Sequence, residues 1–531
     1  MGDTTSTHDE NLIDKMRQEA AAEKAQLLEE GIIPDEITPE VIIAALDENE
    51  MGDAFLLTAL LKGRCVYDHL QDRWFSFNGV CWVEDEKKSI LWTTQQVADF
   101  YDQEAVRQAE LQAAADNKES AKRHERTLKS LRKRSKELKS LNRTKRVLEF
   151  ARSGEAGLGI SGEEWDRHPM LLACANGVID LETGVLLQGK PEDYLRTACP
   201  TPWKGIDEPC PTWEDALNDM NQDPENVDFL RRMLGYSITG LTVENKILFM
   251  QGKGRNGKST ILATLSHVLG DFTWCIESSL FTEQRFQRDP NAPTPALLSI
   301  RGRRLVYASE TGANASMNTE QLKRLSSADM ITARALNVNK QIEFIPTHQL
   351  VLSTNHLPAA PAKADDYAIW DRMIVFPLPF SFIEDPKEDF EKKVDKYLLD
   401  KLKVEAPGIL AWLVRGCLEW QAQGLKLTDS IIKTTQQYER GEDDLRDFID
   451  EWCELGDNYE VQAKAFYEAY CAWFKDREPS RKPMSNKRFG AKMANRFDRT
   501  EDHMFRYYLG VRIRDEFLNF AQAHSSTSER D

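Results

Sequence analysis

A glycine-rich segment near the middle of the chain contains residue types that bind phosphate. The segment GKGRNGKST begins at Gly252 and ends at Thr260. Its glycines allow successive backbone N–H groups to turn toward phosphate oxygens. The Lys258 ammonium would neutralise charge on the β- and γ-phosphates, and the Ser259 hydroxyl would ligate Mg²⁺. The pattern predicts a nucleoside triphosphate site formed by Gly252, Gly254, Asn256, Gly257, Lys258, Ser259 and Thr260.

The elements around this segment favour the same chemistry. The apolar run from Lys246 to Met250 predicts a buried strand before the glycines, and ILATLSHVLG predicts a helix after them. The same glycines also fit the G-x-G-x-x-G pattern of dinucleotide sites, which does not need Lys258. That alternative requires an acidic residue at the end of a second strand, whereas the nearest one, Asp271, follows a glycine that ends the helix. The order of strand, loop and helix therefore favours a phosphate-binding loop.

Three polar residues downstream lie beside further apolar runs. Glu310 ends RRLVYASE, Asn355 ends HQLVLSTN, and Arg372 precedes MIVFPL. A carboxylate such as Glu310 would polarise the attacking water and support the metal, and the Asn355 amide would bond the γ-phosphate and that water. Arg372 is badly placed to be buried without a charge partner, so a phosphate in a neighbouring subunit would account for it.

These segments resemble the motifs of superfamily 3 helicases. The resemblance is to the helicase part of phage and plasmid primase-helicases and of the poxvirus replicative NTPase. It rests on GKGRNGKST, LVYASE, LKRLSSADMITARALNVNKQIEFIP, LVLSTNHLP and IWDRMIVFPLPF. It implies an AAA+-like ATPase that uses ATP and Mg²⁺, forms a hexameric ring, moves 3′ to 5′ along single-stranded DNA and unwinds duplex.

The resemblance also implies roles for single residues. Lys258 and Ser259 would bind Mg-ATP, Glu310 would be the Walker B acid, Asn355 sensor 1, Arg372 the finger supplied in trans, and Lys340 a DNA contact in the ring channel. One departure is that Glu310 follows Ser309, where many such motors have Asp-Glu. A single carboxylate would then serve both the metal and the water.

The start of the chain departs from full primase-helicases, which carry a primer-synthesising domain. The residues before Phe55, where the resemblance begins, are too few to hold one. We therefore expect no priming by this chain. The expected partners are single-stranded and forked DNA, further copies of the chain, and a separate primase or polymerase.

The last ninety or so residues predict a winged helix, because three helical segments precede the strand-like FRYYLGVRI. The third helical segment follows Ser485 and carries four basic residues that we expect to face DNA: Lys487, Arg488, Lys492 and Arg496. The aromatic residues Phe448, Trp452, Phe466, Tyr470 and Phe474 are interpreted as its core rather than as a base-stacking platform.

The expected fold class is α/β, with an AAA+-like P-loop core whose parallel sheet is flanked by helices. An α-rich domain would precede this core and a winged helix would follow it. The predicted divisions are an acidic helical arm (1–50), a small β-containing element with a basic helix (51–150), the α-rich domain (151–240), the P-loop motor (241–380), a helical segment (381–443) and the winged helix (444–531).

Composition excludes several classes of protein. The 531 residues carry a formal net charge of −18, which argues against a protein that coats nucleic acid throughout. Lys122 to Arg146 is a basic exception, interpreted as either a solvated helix or a nucleic-acid contact. There is no C-x-x-C pair among the 9 cysteines and no apolar run long enough to span a membrane. We expect reduced thiols and a place in the cytoplasm of a bacterial host.

Two other functions fit parts of the pattern. An origin-binding initiator would use the same ATPase to melt DNA without processive unwinding, and would bind one DNA sequence through residues 485–497. A small-molecule kinase would share the phosphate-binding loop but would work as a monomer, with no use for Arg372 in trans.

Overall fold

The computed structural model describes residues 37–282, 294–309, 317–334, 341–355, 357, 367–441, 444–477, 483–494, 496–501 and 505–517. The chain divides into two compact units. The first consists of the chain up to His168 together with Ala173–Val178 and Leu186–Ala198. The second consists of Pro169–Leu172, Ile179–Val185 and the chain from Cys199 onward.

The first unit combines a helical bundle with a small sheet. Its helices are Pro39–Asp47, Asn49–Leu61, Thr94–Ala113, Lys118–Leu138 and Leu141–Ala151, with 3₁₀ turns at Ser89–Trp92 and Pro191–Asp193. Its strands lie in the order Trp82–Glu84, Arg73–Phe77, Cys65–Asp68 and Gly159–Ile160. A hairpin turn at Asn78 and Gly79 joins Arg73–Phe77 to Trp82–Glu84: Asn78 Oδ1 accepts hydrogen bonds from the Val80 and Cys81 amides, and Gly79 has a φ of 97°.

A buried carboxylate joins four helices of the first unit. Asp53 is fully buried and accepts hydrogen bonds from the Tyr101 hydroxyl at 2.7 Å and from Arg134 Nη1 at 2.9 Å. Arg143 contributes its Nε at 2.8 Å to the second carboxylate oxygen. Because a buried charge without partners is very costly, these contacts set the relative positions of the helices that carry them.

The second unit is built on a five-stranded parallel sheet. The strands lie in the order Met373–Pro377, Ile247–Gln251, Gln349–Thr354, Leu305–Ser309 and Thr273–Cys275. Three of the five strands, Ile247–Gln251, Gln349–Thr354 and Met373–Pro377, are almost entirely buried, as expected for parallel strands covered on both faces. The mixed α/β class with a parallel sheet and flanking helices is therefore confirmed.

Helices and short strands complete this unit. The helices before the C-terminal region are Pro211–Met220, Pro224–Ser237, Lys258–Leu269, Pro295–Leu298, Thr319–Leu325, Tyr367–Trp370, Leu398–Val404, Ala406–Gln423 and Asp429–Gly441, with 3₁₀ turns at Gly270–Phe272 and Ser278–Leu280. Ile331–Arg334 pairs antiparallel with Gln341–Phe344, and Ser381–Ile383 pairs parallel with Glu391–Lys393. Leu171–Cys174, Gly177–Asp180 and Val185–Leu187 form a three-stranded sheet.

The C-terminal region alternates helices with an antiparallel sheet. In chain order its elements are helix Asp444–Trp452, strand Cys453–Gln462, helices Ala463–Arg477 and Asn486–Ala494, and strands Arg499–Glu501 and Arg506–Ile513. The long last strand lies between the other two. The interpretation of its aromatic residues as core is confirmed, because Phe448, Trp452, Phe466, Tyr470 and Phe474 are all buried.

The division into two units differs from the predicted divisions. The predicted α-rich domain, residues 151–240, is shared between the units and contains short strands as well as two helices. Helix Pro39–Asp47, expected in a peripheral arm, buries Ile42 and Ala45 in the core of the first unit. The basic stretch forms two helices rather than one, because the first ends at Leu138 and the next begins at Leu141. Among the described residues, no helix has both the length and the apolarity needed to cross a bilayer.

We expect the buried imidazole of His348 to make stability depend on pH. Burial lowers its pKa to about 4, with the Leu325 backbone acting weakly in the opposite direction. The unfolded state, with an ordinary pKa near 6.5, binds more protons, so stability is complete above that pH and falls as the pH drops toward 4. The loss from this residue between pH 7.5 and 5 is about 2 kcal/mol. Urea unfolding at both pH values should show a smaller loss in His348→Leu; an unchanged pH dependence would contradict the assignment.

Candidate active site

The carboxyl ends of three neighbouring parallel strands bring the predicted polar residues to one edge of the sheet. Thr354 pairs with Gln251, which immediately precedes the glycine loop, residues 252–257. On the other side Ser353 pairs with Ser309. Asn355, the first residue after its strand, therefore lies beside the glycine loop, as the strand-end pattern predicted.

The shape of the glycine loop depends on residues without side chains. Gly257 has a φ of 86°, and a Cβ atom there would lie 2.4 Å from the Met220 side chain. At Gly252 a Cβ atom would lie 2.6 Å from the Asn256 side chain. Helix Lys258–Leu269 begins directly after the loop, so its amino terminus and unpaired N–H groups lie at the same edge.

Lys258 is the main cationic side chain within this loop and helix start. It is 7% exposed, and its Nζ donates to the Gly252 carbonyl at 2.8 Å and to Asn355 Oδ1 at 3.0 Å. Asn256 Oδ1 lies 3.3 Å away as a third acceptor. Burial lowers the pKa of Lys258 from its ordinary value. The oxygen partners hold a partly desolvated ammonium in place, where an added anion would interact with it more strongly than in water.

Asn256, which was predicted to bind the ligand, lines the cavity and also holds the glycine loop in position. Its side chain is buried, and Nδ2 donates to the carbonyls of Leu378 and Phe380, each at 2.8 Å. Its Oδ1 accepts from the Gly254 amide at 2.6 Å. These bonds tie the glycine loop to the segment that follows strand Met373–Pro377.

We expect Asn256→Ala to impair nucleotide use without unfolding the protein. The change leaves two carbonyls without their amide donor and releases the loop backbone. The free energy that holds the loop in its binding conformation should fall by about 1–3 kcal/mol. The value of kcat/KM for ATP should fall about tenfold or more. Steady-state hydrolysis and a thermal melt of the same sample would test this. Unchanged kcat/KM would show that the loop keeps its shape without Asn256.

A cavity of about 900 Å³ opens at this edge of the sheet. Its lining includes residues 254–260 of the loop and helix start, Ser309 and residues 353–355. Further lining residues come from two segments that no motif in the sequence marks, helix Pro211–Met220 and residues 382–399. Their charged lining residues are Asp215, Asp219, Glu384, Lys393, Asp395 and Lys396. The cavity exceeds what a triphosphate alone requires, and its volume is typical of small-molecule sites.

The other residues predicted for this site have different outcomes. Ser259 is exposed, Thr260 is half-buried, and both line the cavity. Glu310 and Lys340 lie outside the described residues. Ser309, the residue before Glu310, is the last of its strand and also lines the cavity.

Arg372 lies at the amino-terminal ends of the strands, whereas the cavity lies at their carboxyl ends. It immediately precedes strand Met373–Pro377, and its carbonyl accepts a hydrogen bond from the Ile247 amide at the start of the neighbouring strand. Its half-buried side chain donates to Ser326 Oγ at 3.2 Å. Five strand residues separate it from the carboxyl edge, a distance of roughly 16 Å at the usual rise. The fold therefore does not bring Arg372 to the cavity of its own chain.

The basic residues that were predicted to face DNA in the C-terminal region differ in exposure. Lys487 is exposed, Arg496 is half-buried, and the side chain of Arg488 lies outside the described residues. Lys492 is only 7% exposed, contrary to the expectation that it faces DNA. A separation of five residues from Lys487 rotates a side chain by about 140° around a helix, which turns Lys492 into the domain.

Comparison with known proteins adds independent sequence information. Residues 54–222 match a family described as D5 N terminal like, and residues 250–372 match a family of unknown function, DUF5906. The chain is 27% identical over 325 residues to a "Putative helicase" of Acanthamoeba polyphaga mimivirus, which covers 58% of this chain and 33% of that protein. It is 28% identical over 307 residues to a "Putative primase" of African swine fever virus, covering 54% of this chain and 31% of the relative.

These matches support a relationship to the phage and viral primase-helicases of the superfamily 3 type. A "Putative helicase" of Invertebrate iridescent virus 3 is 25% identical over 390 residues, which covers 66% of this chain and 40% of the relative. The chain spans about a third of the length of the first two curated relatives named above. A solved structure, the apo NrS-1 C terminal region, covers 81% of this chain and 80% of its own at 13% identity, with a TM-score of 0.43.

The similar proteins named above are called putative helicases or a putative primase. The two matched families lie on either side of residue 250, so both the region before the glycine loop and the region containing it contribute to the relationship.

Proposed function

We propose that this chain is an ATP-dependent replicative DNA helicase that works as a ring, most simply a homohexamer. The observation that carries the proposal is the contact between Lys258 and Asn355 beside the glycine loop and a cavity large enough for a nucleotide. In this proposal the second unit is an AAA+-like P-loop motor. The sheet order supports it, because the strand before the loop lies between two strands that come later in the chain.

ATP hydrolysis would use the groups at the carboxyl edge of the sheet. The loop amides and the amino terminus of helix Lys258–Leu269 would bind the phosphates, and Lys258 would stabilise charge that develops on the γ-phosphoryl group. Asn355 uses its carbonyl oxygen on Lys258, so its amide nitrogen has N–H donors for the γ-phosphate and for the attacking water. Glu310 would polarise that water.

The exposed hydroxyl of Ser259 suits Mg²⁺, which prefers oxygen ligands and commonly takes one or two from protein. When bound, Mg²⁺ neutralises negative charge on the β- and γ-phosphates. Ser259 would hold it together with Glu310, as the sequence analysis predicted.

The position of Arg372 supports an assembly in which sites are shared between subunits. A guanidinium roughly 16 Å from its own carboxyl edge has no role in its own site but is available to the site of an adjacent copy. Head-to-tail contacts of this kind close into rings. Each site would then combine Lys258 of one subunit with Arg372 of the next.

DNA would contact the motor and the C-terminal region. Strands Ile331–Arg334 and Gln341–Phe344 pair with Arg334 opposite Gln341. We propose that Lys340, which immediately precedes Gln341 in the sequence, contacts DNA in the channel. The helix, strand and hairpin order of the C-terminal region supports a winged helix, with Lys487, Arg488 and Arg496 toward DNA. Lys492 is left out because it is buried. We also propose a separate primase or polymerase as partner and the cytoplasm of a bacterial host as the place of action.

Strand displacement tests this function. The purified chain, ATP and Mg²⁺ should release a labelled strand from a forked duplex, and single-stranded DNA should stimulate ATP hydrolysis. DNA-stimulated hydrolysis without displacement, together with sequence-specific binding, would favour the initiator instead. Transfer of the γ-phosphoryl group to a small acceptor by a monomer would favour a kinase.

A further inference from the structure

Helix Lys118–Leu138 of the first unit carries a row of exposed basic side chains. At 100° per residue their spacing of three or four places them within an arc of about 80° on one face of the helix. We call this row the basic stripe, and its members are Lys118, Lys122, Arg126, Lys129, Lys133 and Lys136. It extends about 27 Å along the helix at 1.5 Å per residue.

The opposite face of the same helix is fixed in the core of the first unit. Leu128, Leu131 and Leu138 are buried there, and Arg134 donates to the buried Asp53 at 2.9 Å. The Asn117 side chain caps the first turn by accepting from two backbone amides. The stripe is therefore presented by a rigid element, which reduces the entropy lost when it binds a long ligand.

The charge of this face is concentrated and only weakly compensated. The chain carries a net charge of −18, yet this helix contains nine Lys or Arg and three Glu. Two of the glutamates form exposed pairs, Lys129 with Glu125 at 2.9 Å and Lys133 with Glu137 at 3.8 Å, and pairs of this kind contribute little. Within the described part of the chain, Lys122, Arg126 and Lys136 have no ion-pair partner.

The chemistry of the exposed positions favours a phosphate backbone over a protein surface. Every fully exposed residue of the helix is Lys, Arg, Glu or Ser. Protein interfaces depend on buried aromatic or aliphatic anchors, and this face has none. A nucleic-acid strand offers one phosphate per 3.4 Å of rise, so the stripe spans roughly eight phosphates.

We propose that the basic stripe is a second nucleic-acid site, separate from the motor, that binds the sugar-phosphate backbone without reading sequence. This proposal depends on the proposed function in one respect, namely that the protein acts on DNA. The strand it binds is the single strand entering or leaving the motor, or the duplex ahead of it. The chemistry is the same for both, because each phosphate contact releases condensed counterions.

The test compares two variants that remove the same charge from the first unit. Lys122→Gln/Arg126→Gln/Lys136→Gln changes the stripe, and Lys62→Gln/Lys87→Gln/Lys88→Gln changes three other exposed lysines. Fluorescence anisotropy of labelled thirty-nucleotide dT and of a thirty-base-pair duplex is measured without ATP at several salt concentrations. ATP hydrolysis without DNA is measured on the same samples.

The stripe variant should bind at least one of the two probes about tenfold or more weakly at 100 mM salt. The slope of log K against log salt should fall by about two, since each contact with a single strand contributes about 0.7. The control should stay within twofold of the parent, and the probe that responds identifies single strand or duplex as the ligand.

Equal loss in both variants, or no loss in either, would overturn the stripe as a site. If the stripe binds polyglutamate while DNA binding is unaffected, the stripe would be assigned to an acidic protein partner. That result would also overturn the proposal. Because DNA-independent hydrolysis is measured separately, an inactive ATPase would count against the proposed helicase, whereas altered DNA affinity with normal hydrolysis concerns the stripe alone.

Discussion

Replacing Lys258 by alanine is expected to lower kcat for ATP hydrolysis at least a thousandfold. The ammonium lies where the glycine loop, the helix terminus and Asn355 meet, and it is largely shielded from water. Electrostatic stabilisation of a transferring phosphoryl group is strong in such a site, and removal of a single preorganised donor can cost about 10²–10³ in rate. Removal of a full positive charge from the same position should cost more.

The matched control is Lys253→Ala, which removes the same residue type from the same loop. Lys253 is exposed and is not part of the cavity lining, so its loss should change kcat less than threefold. Hydrolysis is followed by phosphate release, and binding of a fluorescent ATP analogue shows whether the nucleotide still enters. Comparable loss in both variants, at equal melting temperature, would mean that general loop charge rather than the position of Lys258 controls the reaction.

The sequence was informative where chemistry requires a fixed order along the chain. The glycine loop and Asn355 were identified because each follows an apolar strand, and parallel strands bring their carboxyl ends to one edge. Lys258 could be assigned for the same reason. The part of the lining formed by helix Pro211–Met220 and residues 382–399 could not be predicted. In the sequence its charged residues look like ordinary solvent-exposed residues, and only contacts between distant segments place them at the cavity.

Side-chain roles were harder to predict than positions. Asn256 looked like a ligand contact, but its amide is used by the carbonyls of Leu378 and Phe380, more than 120 residues away. Lys492 matched a basic helix pattern, although its rotation around the helix buries it. The hydrogen bonds to Asp53 could not be predicted from the residues around it, because its partners lie 48 to 90 residues downstream. Each of these outcomes depends on packing between distant segments, which periodicity does not report.

Arg372→Ala is expected to abolish hydrolysis while ATP still binds. A trans guanidinium typically contributes 10³ or more to kcat, since it stabilises charge that appears in the transition state. The affinity for an ATP analogue should stay within about threefold, because the phosphate loop of the variant is intact. Ser326→Ala is the control: it removes the hydrogen bond that Arg372 donates to Ser326 Oγ at 3.2 Å, so a merely structural role would give both variants the same defect.

Mixing the two inactive proteins then distinguishes shared sites from sites within a single chain. A Lys258→Ala subunit still supplies Arg372, and an Arg372→Ala subunit still supplies Lys258. Where the two variants meet in the right order, the intact Lys258 of one and the intact Arg372 of the other form a complete ATP site. Random assembly of equal amounts should restore about a quarter of the parental sites, because half of the loops and half of the fingers are intact. A mixture that stays inactive after subunit exchange, verified with labelled subunits, would mean that each chain hydrolyses ATP alone. The position of Arg372 at the amino-terminal end of its strand, away from the cavity of its own chain, argues for the first result.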